Sequence, residues 1–227
     1  MKTTPIKEYP IQLLTPHLQR IPFFKELMEN APEQYDTLLH YSYLTEPEKD
    51  EVIISKGERD PWMYFVLKGK LVVYPESTLS PHQSVNYILP GEIVGALALI
   101  KNEPRGATVT NDSSSRSTML LGIHFSAFGE LTNFRQLNMR TKLELLKMVT
   151  DHTRWKIEQY RSMFPTNPLG KRLNSLDIFR GKKNSIAELR SLHHEARQLG
   201  EMLAEWNTAF QYTRKYQNDG SLSAKLY

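Results

Sequence analysis

The chain contains no cysteine, and this absence excludes two kinds of chemistry. Without thiols the protein forms no disulfide bond and uses neither a thiolate nucleophile nor a thiolate metal ligand. A cysteine-free chain suits a reducing compartment, so we expect a cytoplasmic protein. The N-terminal sequence MKTTPIKE also lacks the apolar core of a secretory signal peptide.

Long apolar runs and a strong charge of one sign are missing as well. The longest mostly apolar stretch lies around 93–100 and contains a glycine, so we expect no insertion into a membrane. The formal net charge of +4 is too small to indicate a partner by itself. With 40% hydrophobic and 24% charged residues, the 227-residue chain is typical of a globular protein with one medium domain plus an appendage, or two small domains.

Catalytic motifs are absent from the sequence. It has no Gly-x-Ser-x-Gly nucleophile elbow and no Gly-x-x-x-x-Gly-Lys-Ser/Thr phosphate loop. The adjacent His193 and His194 point about 100° apart on a helix, which does not suit a shared metal ion. We therefore expect a protein that is not an enzyme, with no catalytic residues, no metal site and no resident cofactor.

The most informative stretch that is present covers residues 91–109 and reads GEIVGALALIKNEPRGATV. A short helix that starts at Gly95 leaves its first backbone N–H groups unpaired, which is the arrangement that binds phosphate. Arg105 adds a planar, permanently charged group. Gly106 and Ala107 have almost no side chain, so a ligand can approach the backbone closely. The stretch therefore predicts an anion-binding cradle.

This stretch resembles the phosphate-binding cassette of the cyclic nucleotide-binding domain family, whose usual form reads F-G-E-L-A-L, a few variable residues and P-R-x-A-T-V. Two other segments resemble the family in the same order, LQRIPFF at 18–24 and KGE at 56–58 followed by MYFVLKGKLVV at 63–73. The resemblance covers about residues 18–133. It has one large defect, because the family's glutamate that binds the ribose hydroxyl falls here on Ala96.

The resemblance implies a ligand site for cyclic AMP, cyclic GMP or another phosphate-bearing molecule. Arg105 and nearby backbone N–H groups would hold the phosphate, and polar residues of the following long helix would contact the base. The residues implied in this way are Gly95, Ala96, Leu97, Arg105, Gly106 and Ala107, with Thr150 or Thr153 for the base. Alanine accepts no hydrogen bond from the ribose, and a buried hydroxyl without a partner costs roughly 1–3 kcal/mol. Glu103 could also neutralise Arg105, so weak nucleotide binding, binding of another anion and loss of binding all stay open.

The residue patterns agree with the fold that the resemblance implies. Short runs of aromatic and β-branched residues, separated by Gly, Pro and Ser, predict a small antiparallel β-roll with flanking helices, and hence an α+β fold that is jelly-roll-like. The predicted strands are 51–55, two strands of a hairpin within 63–73 that turns at Gly69, 85–89, 107–110 and 118–123. The other predicted segments are a loosely packed polar arm over 1–15, helix over 18–39 with a break near Pro32, an exposed loop over 74–83 and a hairpin tip over 111–116.

Two long helical patterns follow the roll. Apolar residues recur at helical spacing over about 135–163, which predicts one helix of about 28 residues. In the resembled family a helix in this place commonly pairs with its copy and covers the nucleotide pocket, so we expect a homodimer; packing on its own roll is the alternative. The second pattern covers 185–216 and begins with the capping box of Ser185 and Glu188. Its apolar stripe predicts a face that packs on a core or on a partner helix.

These segments predict three parts. They are 1–133 with the arm, the first helices and the roll, 134–164 with the long dimer helix, and 165–227 as a helical C-terminal module. The predicted function is a non-enzymatic cyclic nucleotide sensor or signalling adaptor that couples the roll to this module, which could bind a protein partner.

Two alternatives to this function stay open. One is a transcription regulator with an atypical DNA-binding tail, although one long helix replaces the two short helices of a helix-turn-helix. Basic residues around 171–183 could contact phosphates of DNA, but such clusters are more often solvated linkers. The other alternative is a ligand-free interaction protein with a degenerate pocket.

Overall fold

The computed structural model of the protein describes residues 1–75, 86–177 and 179–218. Its strands are β1 (Lys2–Pro5), β2 (Ser42–Glu46), β3 (Val52–Ile54), β4 (Trp62–Lys68), β5 (Leu71–Tyr74), β6 (Asn86–Ile88), β7 (Ile93–Val94), β8 (Thr108–Asn111) and β9 (Met119–His124). Its α-helices are α1 (Ile11–Leu18), α2 (Pro22–Asn30), α3 (Pro32–His40), α4 (Ala96–Lys101), α5 (Met139–Met163), α6 (Leu169–Arg172) and α7 (Ile186–Asn218).

The strands form two antiparallel sheets, which confirms the predicted α+β roll. One sheet has the order β1-β2-β9-β4-β7 and the other has the order β3-β8-β5-β6. Their facing sides bury the aliphatic and aromatic residues of β4, β5, β8 and β9. Alternate side chains of a strand point to opposite faces, so each short strand contributes to this core while its other face meets the helices or solvent.

The predicted hairpin within 63–73 is wrong in one respect. Gly69 does make the turn, with φ of +85°, but β4 and β5 belong to different sheets and do not pair with each other. A Cβ at Gly69 would lie 2.2 Å from the Thr118 hydroxyl, so the glycine allows a close crossing between the sheets. The segment after β8 also leads from one sheet to the other, so 111–116 is not a hairpin tip.

The N-terminal arm is more ordered than predicted. Residues 2–5 form β1, which pairs with β2 at the edge of the larger sheet, and Ile6 and Leu14 are buried. Pro5 is tolerated there because an edge strand does not need every N–H group. The break at Pro32 is confirmed, since α2 ends just before it. Most of the predicted loop over 74–83 lies outside the described residues.

The C-terminal helices pack against each other within one chain. α5 has 25 residues and α7 has 33 residues, close to both predicted helices. The N-terminus of α7 is capped by Ser185, whose hydroxyl accepts a hydrogen bond from the Glu188 backbone N–H at 3.2 Å. None of the described helices combines the length and the apolarity that a membrane span requires.

The apolar stripe of α5 therefore has a partner face on α7. Ile157 and Tyr160 pack with Leu199, Met202 and Trp206 in one buried cluster. The apolar stripe of α5, which favoured a homodimer, is thus covered by α7 of the same chain. The homodimer stays a prediction, but this stripe no longer supports it. The division into three parts also stays a prediction.

Candidate functional site

A cavity of about 330 Å³ lies where the roll meets the C-terminal helices. Three groups of residues line this cavity. The roll contributes an apolar floor that includes Ile54, Val73, Ile88 and Val109; the cassette contributes residues 94–98 and 104–107; and the C-terminal helices contribute Val149, His152, Thr153 and Lys156 from α5 with Gly200, Leu203, Ala204, Asn207 and Thr208 from α7.

The predicted site residues come together at this cavity. Its lining includes Gly95, Ala96, Leu97, Arg105, Gly106, Ala107 and Thr153. Gly95 precedes α4 with φ of +86°, a conformation that suits glycine, and a Cβ there would lie 2.8 Å from Nη1 of Arg105. Ala96 is buried at 3% exposure, directly at the start of α4.

Arg105 is held by oxygens of the protein itself. Its Nε donates to Oδ2 of Asp60 at 2.8 Å and its Nη2 donates to Oδ1 at the same distance, which is a forked ion pair. Nη1 donates to the Gly95 carbonyl, and Nη2 also donates to the carbonyls of Asp60 and Trp62. The Arg105 side chain is only 2% exposed.

These contacts determine what Arg105 can do for a ligand. The predicted neutralisation by Glu103 does not occur, because the Glu103 carboxylate pairs with Lys101 at 2.6 Å. Asp60 takes that place instead, and the guanidinium is fixed at the end of the cavity. A phosphate can bind it only by competing with Asp60 or by using the second N–H of Nη1, for which the structure shows no acceptor among the described residues.

Thr150 and Thr153 differ from what base recognition requires. Thr153 is buried and lines the cavity, but its hydroxyl donates to the Val149 carbonyl at 2.6 Å. The Thr150 hydroxyl donates to the Lys147 carbonyl, and this residue does not line the cavity. Both donors are thus used within α5, a common state of threonine in a helix.

A buried ion pair on the α5 side was not found from the sequence. Lys156 Nζ lies 3.1 Å from Oε1 of Glu92, with side chains 8% and 13% exposed, and it also donates to the Tyr87 carbonyl. Burial lowers the pKa of Lys156, and the Glu92 carboxylate opposes that shift. Burial also lowers the pKa of His152, one turn away on the same face of α5. In the sequence, the four-residue spacing of His152 and Lys156 was the feature that could have indicated that both lie on one face of α5.

The α7 wall was missed as well. Gly200 lets α7 approach the cassette helix, because a Cβ there would lie 3.3 Å from Cδ of Lys101 and 3.8 Å from Cβ of Leu97. Arg197 lies against the same helix end and donates to the Lys101 carbonyl at 3.5 Å. A glycine inside an otherwise helix-favouring pattern was the sign of this contact, since glycine weakens a helix unless close packing needs it.

Comparisons with known proteins agree on the family of the roll. Residues 45–133 match the cyclic nucleotide-binding domain family. The chain is 29% identical over 100 residues to the cAMP-dependent protein kinase regulatory subunit of Dictyostelium discoideum, covering 42% of this chain and 31% of that protein. The chain therefore spans less than a third of the length of this curated relative.

Solved structures with low identity are also similar. The regulatory domain of Toxoplasma gondii PKA with cAMP has 19% identity and a TM-score of 0.45, covering 60% of this chain and 48% of that one. The sensor domain of the transcriptional regulator DNR from Pseudomonas aeruginosa has 20% identity and a TM-score of 0.46, covering 60% and 91%.

Proposed function

We propose that the protein is a non-enzymatic sensor or signalling adaptor, because residues 45–133 match the cyclic nucleotide-binding domain family. In this role it binds a cyclic nucleotide in the cavity and couples occupancy to its C-terminal helices. The observation that carries the proposal is that residues of α4 and α7 line the same cavity. A ligand placed there contacts the cassette and the C-terminal module at once.

The coupling follows from how closely the two helices pack. Gly200 brings α7 against Leu97 and Lys101, so a displacement of α4 cannot be absorbed by a gap between them. Packed interfaces respond to small shifts by changing between discrete arrangements rather than by deforming continuously. The proposed output is therefore a change in the position of α7, which a protein partner could read.

The charges around the cavity favour an anionic ligand of modest affinity. The lining holds four cationic side chains, from Lys56, Lys101, Arg105 and Lys156, and Glu103 is its one carboxylate among the described residues. Lys101, Arg105 and Lys156 each have a carboxylate partner. A phosphate must compete with those partners, and Ala96 offers no acceptor for the ribose, so we expect weaker binding than a cassette with glutamate provides.

Calorimetry and thermal shift with cyclic AMP, cyclic GMP and cyclic dinucleotides test the sensor half of the proposal. Binding heat that saturates, together with a rise in the melting temperature, supports it, because a ligand of the folded state stabilises that state. No heat and no shift at millimolar ligand contradict the sensor half and leave the adaptor alone.

Two substitutions test whether the cassette is the binding element. Arg105→Ala removes a charge-assisted contact and should lower the affinity at least tenfold, corresponding to roughly 1.5–3 kcal/mol. Ala96→Glu should strengthen binding by restoring an acceptor for the ribose. Arg59→Ala, an exposed arginine in the neighbouring loop, is the matched control and should leave the affinity unchanged. Equal affinity of all four proteins would show that the cassette does not bind the ligand.

The proposal also includes a homodimer in the cytoplasm. Analytical ultracentrifugation at micromolar concentration tests the dimer, and a monomer contradicts it. DNA binding is the less favoured alternative, because the described tail consists of the four-residue α6, a short 3-10 turn and the 33-residue α7 that packs along α5. Steeply salt-dependent DNA binding that disappears on deletion of 165–227 would restore it.

A further inference from the structure

We propose that Asn207 of α7 recognises the ring system of the ligand, with its Nδ2 donating a hydrogen bond to an acceptor of a heterocyclic base. The inference rests on the proposed function and adds the residue that reads the base. It assigns base recognition to a helix that lies outside the matched residues 45–133.

The first argument is the face that α7 presents to the cavity. The α7 residues in the lining are Gly200, Leu203, Ala204, Asn207 and Thr208. They occupy positions i, i+3, i+4, i+7 and i+8, so they form a single stripe along the helix. The first three are small or apolar, and the polar side chains stand at the C-terminal end of the stripe.

The second argument is that the Asn207 amide is held in place. The Tyr160 hydroxyl donates to Oδ1 of Asn207 at 2.7 Å, and Tyr160 itself is buried at 2% exposure. This bond to the oxygen restrains the orientation of the amide, and Nδ2 is its donor group. The structure shows no acceptor for Nδ2 among the described residues. A donor that is oriented before the ligand arrives loses little entropy on binding.

The third argument is that nearby hydroxyl donors are already used. Thr208 donates to the Ala204 carbonyl at 2.9 Å, and Thr153 on α5 donates to the Val149 carbonyl. Lys156 is engaged by Glu92 and by a backbone carbonyl. Two neutral groups on the helical wall are therefore available to a ligand without breaking an existing bond, the Asn207 amide and the His152 imidazole, whose buried Nδ1 has no partner among the described residues. Of the two, the Asn207 amide is the one oriented by a hydrogen bond from Tyr160.

The surroundings indicate the chemical class of the ligand. Val149 and Leu203 provide apolar surface on the helical wall, which suits a flat ring, while Arg105 lies in the cassette wall and suits an anionic group. The matching ligand combines a heterocyclic base that carries a ring nitrogen or carbonyl acceptor with a phosphate. Adenine and guanine both present such acceptors, but with different neighbouring donors.

The test compares Asn207→Asp with Thr208→Asp in calorimetric titrations with cyclic AMP and cyclic GMP. Asn207→Asp keeps an oxygen for the Tyr160 hydroxyl but replaces the donor with an acceptor. Thr208→Asp adds the same negative charge one residue away and leaves the donor intact. We expect Asn207→Asp to lose about threefold to tenfold more affinity than the control, the range of one neutral hydrogen bond. It should also change the affinity ratio of the two nucleotides.

The outcomes separate this inference from the proposed function. If the parent protein binds and only Asn207→Asp shows the extra loss and the changed ratio, Asn207 reads the base. If the parent protein binds and the two variants lose affinity equally with an unchanged ratio, this inference is overturned and the proposed function stands. If the parent protein binds neither nucleotide at millimolar concentration, both are overturned. Melting temperatures of the unliganded variants within a few degrees of the parent confirm that they are folded.

Discussion

The two walls of the cavity are held by different kinds of interaction. On the cassette wall, Arg105 is locked by the Asp60 carboxylate and by backbone carbonyls. On the helical wall, α5 and α7 are joined mainly by apolar packing, with Trp206 stacked on Tyr160 at 5.8 Å. Directional polar bonds favour one geometry, whereas apolar contacts can slide and repack at lower cost. We therefore expect Arg105 and its oxygen partners to stay fixed when a ligand binds, and the helical wall to move together with α4, which packs against it.

Replacing Trp206 with alanine should have the largest effect on the unfolding free energy, because it removes the central side chain between α5 and α7. The side chain is 1% exposed and lies in the centre of the α5–α7 cluster. Loss of a buried aromatic residue costs roughly 3–5 kcal/mol of unfolding free energy. Urea denaturation measures it. The matched control is Trp155→Ala, since this side chain is 51% exposed on α5 and should cost less than about 0.5 kcal/mol. Similar losses in both variants would contradict the described packing.

Replacing Asp60 with alanine should remove the carboxylate that holds Arg105 in the cassette wall. Arg105 then stays buried without its carboxylate, which should lower the unfolding free energy by roughly 1.5–3 kcal/mol. It should also release the guanidinium and raise the affinity for an anionic ligand. Glu103→Ala is the control, because its pair with Lys101 is partly exposed and should contribute less than about 1 kcal/mol. A stable Asp60→Ala protein with unchanged ligand affinity would mean that Asp60 does not restrain Arg105.

Substitutions at Gly200 test how closely α7 packs against α4, where the two walls meet. Gly200→Leu places bulk against Leu97 and Lys101 and should cost about 1–3 kcal/mol through overpacking. Gly200→Ala gains up to about 1 kcal/mol of helix propensity, and its Cβ meets side-chain atoms of Lys101 and Leu97 at 3.3 and 3.4 Å, so its net effect should stay within about 1 kcal/mol. Denaturation of both variants provides the measurement. If leucine is tolerated as well as alanine, α7 does not lie this close to α4.

The smallest expected effect is on pH dependence at the helical wall. Burial lowers the pKa of His152. The negative charge of Glu92 opposes this shift, and the positive charge of Lys156 adds to it. The unfolded chain therefore binds a proton at higher pH than the folded one, so the unfolding free energy falls as pH is lowered from about 6.5 through the folded pKa. His152→Gln should show a shallower fall over this window, and His194→Gln, at an exposed position of α7, is the matched control for the substitution itself. An unchanged slope for His152→Gln would contradict the burial of the imidazole.

Local motifs made the cassette wall predictable from the sequence. Glycines at special backbone angles, the Pro-Arg dipeptide and the short strands depend on neighbouring residues, so Gly95, Arg105 and the antiparallel roll could be anticipated. The partner of Arg105 could not, because Asp60 is distant in sequence and Glu103 was the nearest carboxylate. Only the folded roll brings Asp60, in the loop before β4, to Arg105, in the segment between α4 and β8.

The helical wall was harder to predict, because its location depends on which helix faces which. The apolar stripes of α5 and α7 were both recognised, but a stripe does not reveal whether its partner is a second chain or a helix of its own chain. The same limit applies to the strands of 63–73, whose residues favour β-structure without indicating which sheet each strand joins. Gly200 lies within the second helical pattern, and only the folded chain shows that it marks where α7 meets α4.

The central claim is that α7 lies against the cassette helix in the same chain, and a disulfide tests it most directly. The chain has no cysteine, so Leu97→Cys combined with Gly200→Cys introduces the one possible pair. The 3.8 Å between Cβ of Leu97 and the Cβ position of Gly200 is the usual spacing of a disulfide. Mass spectrometry after mild oxidation should show an intramolecular bond, and it should show none for Leu97→Cys with Ile186→Cys, which lies about four turns away along α7. Two free thiols in the first variant, or a bond only between chains, would contradict the account.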